Sequence, residues 1–116
     1  MIQLELPYPP SINHYWRRVG ARTIISRGGR QFRQNVLVAL TAMGIKPLAG
    51  RLAVEIEVYP PDARRRDIDN VQKALLDALQ HAGVYNDDSQ IVWLLTKKAR
   101  IIRGGKVVVR ITEKPS

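Results

Sequence analysis

Cysteine is absent from this chain of 116 residues. Disulfide scaffolds, thiol catalysis and cysteine-ligated zinc are therefore excluded. Long apolar runs are absent too: Ile91 to Leu95 is among the longest, far short of the roughly 20 residues that carry a helix across a bilayer. Met1 leads straight into Ile2 to Leu6 without a basic leader, so a cytoplasmic protein with no membrane partner is expected. Acidic residues are missing between Leu6 and Val54, a stretch that holds Arg17, Arg18, Arg22, Arg27, Arg30, Arg33, Lys46 and Arg51. With a net charge of +9 and a pI near 10.5, a polyanionic partner is the first to consider, and phosphate binding is the simple reading. Residues that are 45% hydrophobic and 25% charged exclude collagen-like, coiled-coil and wholly disordered chains, and the length suits one domain over residues 1–116.

Period-two alternation in Ile2 to Leu6 predicts a half-buried strand, closed by Pro7-Tyr8-Pro9-Pro10. Ser11 to Arg27 has aromatic and basic side chains without a clean period and is expected to be an ordered, irregular loop ended by Gly28-Gly29. Phe32, Val36, Leu40 and Met43 recur at helical spacing up to Gly44, a suitable stop. Leu52, Val54, Ile56 and Val58 mark a second strand. Ile68, Val71, Leu75 and Leu79 then form the apolar stripe of a second helix, stopped by Gly83, while Asp69, Lys73 and Asp77 fall on its opposite face. Asn86 to Ser89 reads as a turn, Ile91 to Ile102 as a strand, Arg103 to Lys106 as a two-residue hairpin loop, and Val107 to Thr112 as the returning strand. The order β-α-β-α-β-β predicts an α/β (α+β) domain, a mixed four-stranded sheet with both helices on one face. Lys114 to Ser116 are expected to fray.

The acids that do occur are concentrated. Asp67, Asp69, Asp77, Asp87 and Asp88 stand against a lone Lys73, just after Arg64-Arg65-Arg66. Crowded carboxylates repel one another and rise in pKa unless a cation offsets them. A hard divalent ion such as Mg²⁺ does so with one or two protein carboxylates, leaving its other positions to water and substrate phosphate. Such a site hydrolyses phosphodiesters, and Lys73, one turn beyond Asp69, is placed to neutralise the phosphate or to help deprotonate water. On residue types alone a structural reading stays open. Asp67 can be a helix cap worth about 1 kcal/mol, and Lys73 with Asp69 and Asp77 can form exposed pairs worth a few tenths each.

Arg64 to Lys73, then Asp77-Ala78-Leu79, Gly83 and Asp87-Asp88, together with Pro7-Tyr8-Pro9-Pro10-Ser11-Ile12-Asn13, Tyr15 and Trp16, strongly resemble the RusA family of Holliday junction resolvases. The resemblance runs from Pro7 to the last strand near Glu113. It implies a homodimeric, Mg²⁺-dependent endonuclease, with Mn²⁺ as a substitute, usually of phage or prophage origin. Such an enzyme nicks opposite strands of four-way junction DNA in recombination and repair. By position it implies Asp67, Asp69 and Asp88 as catalytic metal ligands and Lys73 as the essential lysine, with Asn70 and Asp87 in support. Asp77 is a weaker candidate, as readily a solvated helix residue. Arg64, Arg65, Arg66, Lys97, Lys98 and Arg100 are candidate DNA contacts, although a solvated basic edge would look the same; Asn13 and Arg17 join them, as do Tyr15 and Trp16, for which packing under the loop is an equal alternative to contact with bases or sugars. Trp93 is expected in the core or a dimer interface, and His14 and His81 in surface or loop packing. Two incisions related by the junction's two-fold symmetry call for two matching sites, which a symmetric dimer provides. Two other readings remain: a non-catalytic basic module that binds DNA or RNA, and the same chemistry directed at another branched DNA.

Overall fold

The strand foreseen at the amino end forms over Ile2–Pro7 (β1), with Leu4 and Leu6 buried and Gln3 and Glu5 exposed. A computed structural model describes residues 1–114. After β1 come a short helix Ile12–Tyr15 (α1), strands Trp16–Val19 (β2) and Arg22–Ile25 (β3), and helix Arg27–Met43 (α2). Strand Arg51–Tyr59 (β4), helix Ile68–His81 (α3), and strands Ile91–Lys98 (β5) and Lys106–Lys114 (β6) complete the fold. Lys114 ends β6, and the other two residues expected to fray lie outside the described residues.

The main sheet has the order β1-β6-β4-β5, with β4 and β5 parallel and the remaining pairs antiparallel. Parallel neighbours need a crossover, and α3 supplies it. Alternation along the strands puts Leu4, Leu6, Val54, Ile56, Val107 and Val109 on one face, where they pack with Phe32, Val36 and Leu40 of α2 and Val71, Leu75 and Leu79 of α3. The α+β class, the mixed four-stranded sheet and the single helical face all match expectation.

Three local expectations do not. The supposed loop after Pro10 holds α1 and a β2–β3 hairpin, whose tip uses Gly20 at φ 61°. The first helix starts at Arg27, five residues before its apolar stripe, because Ser26 caps it by accepting from the Gly29 N–H at 3.0 Å. The third difference is topological. β5 and β6 are not a hairpin: β4 lies between them, and β5 ends at Lys98. Residues 99–105 cross the end of β4, held by Ala99 N–H donating to the Val58 carbonyl at 2.7 Å and Ile102 N–H to the Pro60 carbonyl at 2.9 Å. Val107, Val108 and Val109 are all buried, on both faces of the sheet, so β6 belongs in its middle.

Gly29 is buried where α2 passes under the end of α1. A Cβ there would collide with the Tyr15 carbonyl oxygen and stand 2.8 Å from Ile25 Cγ1. Gly29→Ala, although it raises helix propensity, is expected to destabilise the fold by about 1–3 kcal/mol through overpacking, read as a lowered thermal midpoint; an unchanged or raised midpoint would contradict this packing.

Candidate active site

Burial of Val71, Leu75 and Leu79 fixes the rotation of α3 and turns Asp69 and Lys73, one turn apart, to solvent. Asp67 occupies the N-cap position of α3, yet its side chain makes no capping hydrogen bond. Among the described residues Asp67, Asp69 and Lys73 form no ion pair. The structural alternatives for these side chains are thus not realised. Beside them opens a cleft of about 490 Å³ lined by Tyr8, Ser11, Arg65, Arg66, Asp67, Asn70 and Val71. The Asp67 carboxylate and the Asn70 amide line this cleft, and Asp69 is exposed on the same first turn of α3; these are hard oxygen donors of the kind that suit Mg²⁺.

The arginine triplet does not act as one block. Arg66 donates to the Asp62 carboxylate at 2.6 Å and lies 5.7 Å from the centre of the Tyr8 ring, forming part of the cleft wall. Arg64 is exposed, 3.9 Å from the same carboxylate, and Arg65 faces the cleft. Lys98 Nζ donates to the Arg66 carbonyl at 2.8 Å, which ties the end of β5 to the approach to Asp67. Lys97 and Lys98 point to opposite faces of β5. Arg100 lies beyond the strand, 5.6 Å from the centre of the Tyr59 ring, so it does not share the strand with Lys97 and Lys98 as expected.

Asp88 stands elsewhere. Its N–H donates at 3.0 Å to the Gln80 side chain near the other end of α3, and the helix from Asp69 to Gln80 covers about 16 Å at about 1.5 Å per residue. No group of three His, Cys, Asp or Glu side chains suited to a metal occurs among the described residues. Asp67, Asp69 and Asp88 therefore do not converge within one chain. Asp87 builds the turn rather than a site: its carboxylate accepts from the Ser89 N–H at 2.9 Å, the Gln90 side chain returns to the Asp87 N–H, and that carboxyl is held below its ordinary pKa chiefly by the Ser89 N–H.

Tyr15 is a correction. Expected to contact DNA, it has no exposed surface: α1 carries it under the hairpin, where its hydroxyl donates to Asp77 and accepts from Arg33 Nε at 2.8 Å. Arg33 Nη2 also reaches Asp77 at 2.8 Å. Burial, then the Asp77 hydrogen bond, push the Tyr15 phenol well above its ordinary pKa, so it stays a donor. Trp16 is half-buried and packs edge-on against Tyr15, with ring centres 5.2 Å apart. Asn13 and Arg17 remain exposed, as do Arg18 and Arg22 on the hairpin. The Arg33–Asp77 pair joins α2 to α3 and was not foreseen, because nothing in the spacing from 33 to 77 reports contact. The hairpin did leave a signal in Gly20 followed by Thr23-Ile24-Ile25.

The family described as Endodeoxyribonuclease RusA matches residues 7–112. The chain belongs to the RusA family. The crossover junction endodeoxyribonuclease RusA of Enterobacteria phage HK97 is 39% identical over 112 residues, 96% of this chain and 93% of the relative. Proteins of the same description from Shigella sonnei (strain Ss046) and Escherichia coli (strain K12) are 43% and 42% identical over 111 residues, 95% of this chain and 92% of each relative. The RusA match takes in Tyr8 and Ser11 at the cleft, all of α3 and both ends of β5.

Arg33→Met leaves Asp77 beside Tyr15 without its base. Asp77 is about a third exposed, so the loss is expected near 2 kcal/mol, below the 3–5 kcal/mol of a fully buried pair. Tyr15→Phe removes one hydrogen bond and is expected to cost about 1 kcal/mol. Denaturant melts of both variants and the double variant check the coupling, and strict additivity would argue against a shared network. A second expectation concerns Asp62. The Arg66 hydrogen bond and the Arg64 N–H lower its pKa to about 2, so the contact is complete above the ordinary carboxylate range near 4 and is lost as pH falls through about 2. Carboxyl NMR titration should show this midpoint, and Arg66→Gln should raise it toward 4.

Proposed function

We propose that this protein is a divalent-metal-dependent endonuclease that resolves Holliday junctions by paired nicks. The observation that carries the reading is Asp67. It sits where a helix cap belongs, makes no cap, and lines an open cleft, with Asp69 exposed in the first turn of α3. Asp67 and Asp69, supported by Asn70, would hold Mg²⁺ or Mn²⁺, which would supply Lewis-acid activation of water and neutralise charge developing on the phosphoryl group; Asp88, at the other end of α3 in the same chain, would join them only from a second subunit. Lys73 Nζ, one turn after Asp69, stabilises a non-bridging phosphate oxygen as the P–O bond breaks. Arg65 at the cleft, and Arg17, Arg18 and Arg22 on the hairpin, give phosphate-contacting charge along the junction arms. Four-way junction DNA has two equivalent strands to cut, so the working species is a homodimer.

The test is a labelled synthetic four-way junction and a linear duplex of the same sequence, each with Mg²⁺ and with chelator, resolved on a denaturing gel. Symmetric nicks on the junction alone, abolished by chelator, are expected. Asp69→Asn and Lys73→Ala should each lower the nicking rate by at least about 10³-fold while junction binding persists. Binding should weaken with salt at a log–log slope near −0.9 per phosphate contacted. Tight binding without nicks under any metal condition would leave a DNA-binding module, and equal cleavage of other branched substrates would broaden the substrate class.

A further inference from the structure

The cleft beside Asp67 is larger than a metal site, and its lining is not that of a phosphate site. Six oxygens around an octahedral Mg²⁺ need about 180 Å³ at about 30 Å³ for each water-sized ligand, whereas the cleft encloses about 490 Å³. Asp69 does not line it, so the carboxylates mark one rim and most of the volume lies beyond them. The lining is mixed: Tyr8 and Val71 are apolar, Ser11 and Asn70 bring a hydroxyl and an amide, and Arg65 and Arg66 bring charge. Apolar walls with a few convergent polar groups make a site for a small organic group, whereas a phosphate is held by cations and N–H donors.

The wall is also rigid. Pro7, Pro9 and Pro10 flank Tyr8 and fix their own φ angles. Gly105 packs so close that a Cβ there would lie 2.9 Å from Tyr8 Cβ. Arg66, held to Asp62 at 2.6 Å, sets its guanidinium 5.7 Å from the Tyr8 ring centre. An aromatic ring and a guanidinium plane, fixed before any ligand arrives, are what unpaired bases stack on. Asn70 carries both a carbonyl and an NH₂ group, so support of a metal by its oxygen leaves a donor for a base edge. Ser11 Oγ lies 2.9 Å from His14 Nδ1 and keeps capacity for a second hydrogen bond.

Connectivity selects the occupant. A cleft that shares Asp67 and Asn70 with the metal donors adjoins the phosphate being cut, and in DNA the group joined to that phosphate is a nucleoside. We propose, on the reading of Asp67 and Asp69 as the cleavage site, that the cleft receives one nucleobase flanking the scissile phosphate, unstacked from its arm and laid against the Tyr8–Arg66 wall with Asn70 and Ser11 at its polar edge. A base within a continuous duplex must be unpaired to enter, and unpairing costs least where the stack is already disturbed. The pocket therefore favours a branch point over linear duplex, and it reads sequence at that one position.

Two measurements decide it. Synthetic four-way junctions carrying a single 5-iodouracil, moved through the nucleotides on both sides of the branch, are bound in chelator and photocross-linked in the long ultraviolet. One position should cross-link to the peptide that holds Tyr8, and the same position in linear duplex should not. Bound junction with no cross-link to that peptide from any position overturns the pocket, whether or not the protein nicks DNA.

The second measurement is the single-turnover nicking rate in Mg²⁺. A mismatch at the nucleotide flanking the nick should raise the rate on the order of 10-fold, and one further along the arm should not. An abasic residue there is equally unpaired but has no base; the native protein should cut it about 10-fold more slowly than the mismatch, and Tyr8→Leu should close that gap. A mismatch without effect, or abasic and mismatched junctions cut alike by the native protein, overturns the pocket and leaves the carboxylate site standing. A protein that nicks no junction overturns the carboxylate site instead, and the cross-link still reads the cleft. Should Tyr8→Leu misfold by far-ultraviolet circular dichroism, the native protein on the mismatched and abasic junctions decides.

Discussion

The packing of one amphipathic crossover helix sets both the sheet order and the place of the chemistry. With Val71, Leu75 and Leu79 against the sheet, α3 can lie in only one rotation, and that rotation fixes Asp69, Lys73 and Asp77 on the outer face. Because α3 links two parallel strands, it runs back along the sheet, so its first turn stands at the far ends of β4 and β5 and its last turn near their beginnings. Asp67 and Asp69 are placed by the first turn and Asp88 by the last. Separation of the candidate carboxylates therefore follows from the same burial that stabilises the fold.

A second restraint keeps that helix in register. Arg33 and Tyr15 converge on Asp77 from α2 and α1, two turns along the same face from Asp69. Burial alone would lower the Arg33 pKa, but hydrogen bonds to Asp77 and Tyr15 overcome it and leave a net rise. Apolar contacts hold α3 down on the sheet but resist sliding weakly. A charged, directional contact at one point limits sliding, and the aromatic rings of Tyr15 and Trp16 cover it.

How much was legible depended on range. Period-two and period-three-to-four patterns located β1, β4, α3 and most of α2, because each element buries one face and its own residues report it. Gly44, at φ 65°, ended α2 as read. The β2–β3 hairpin escaped because four-residue strands are shorter than the pattern needs to declare itself. The apparent β5–β6 hairpin was misread because Gly104-Gly105 makes a turn, but a turn does not state which strand lies beyond it. Of the candidate site, type and spacing singled out the acidic and amide residues of α3 and Lys73, and the structure leaves Asp67, Asp69 and Lys73 exposed and Asn70 at the cleft. Tyr15 was misplaced because an aromatic residue among arginines looks the same whether it meets a nucleotide or a buried carboxylate.

By itself, the sequence determined the class of domain and the outward face of α3 with its set of hard oxygen donors and a lysine, since each depends on neighbours within a few turns of chain. Tertiary structure alone decided that β6 enters between β1 and β4, that Tyr15 is buried against Arg33 and Asp77, that Asp67 is free of its cap, and that Asp88 lies at the other end of the helix. These are facts about which distant segments meet. They are settled by the joint burial of surfaces from the whole chain, and local periodicity does not encode that sum.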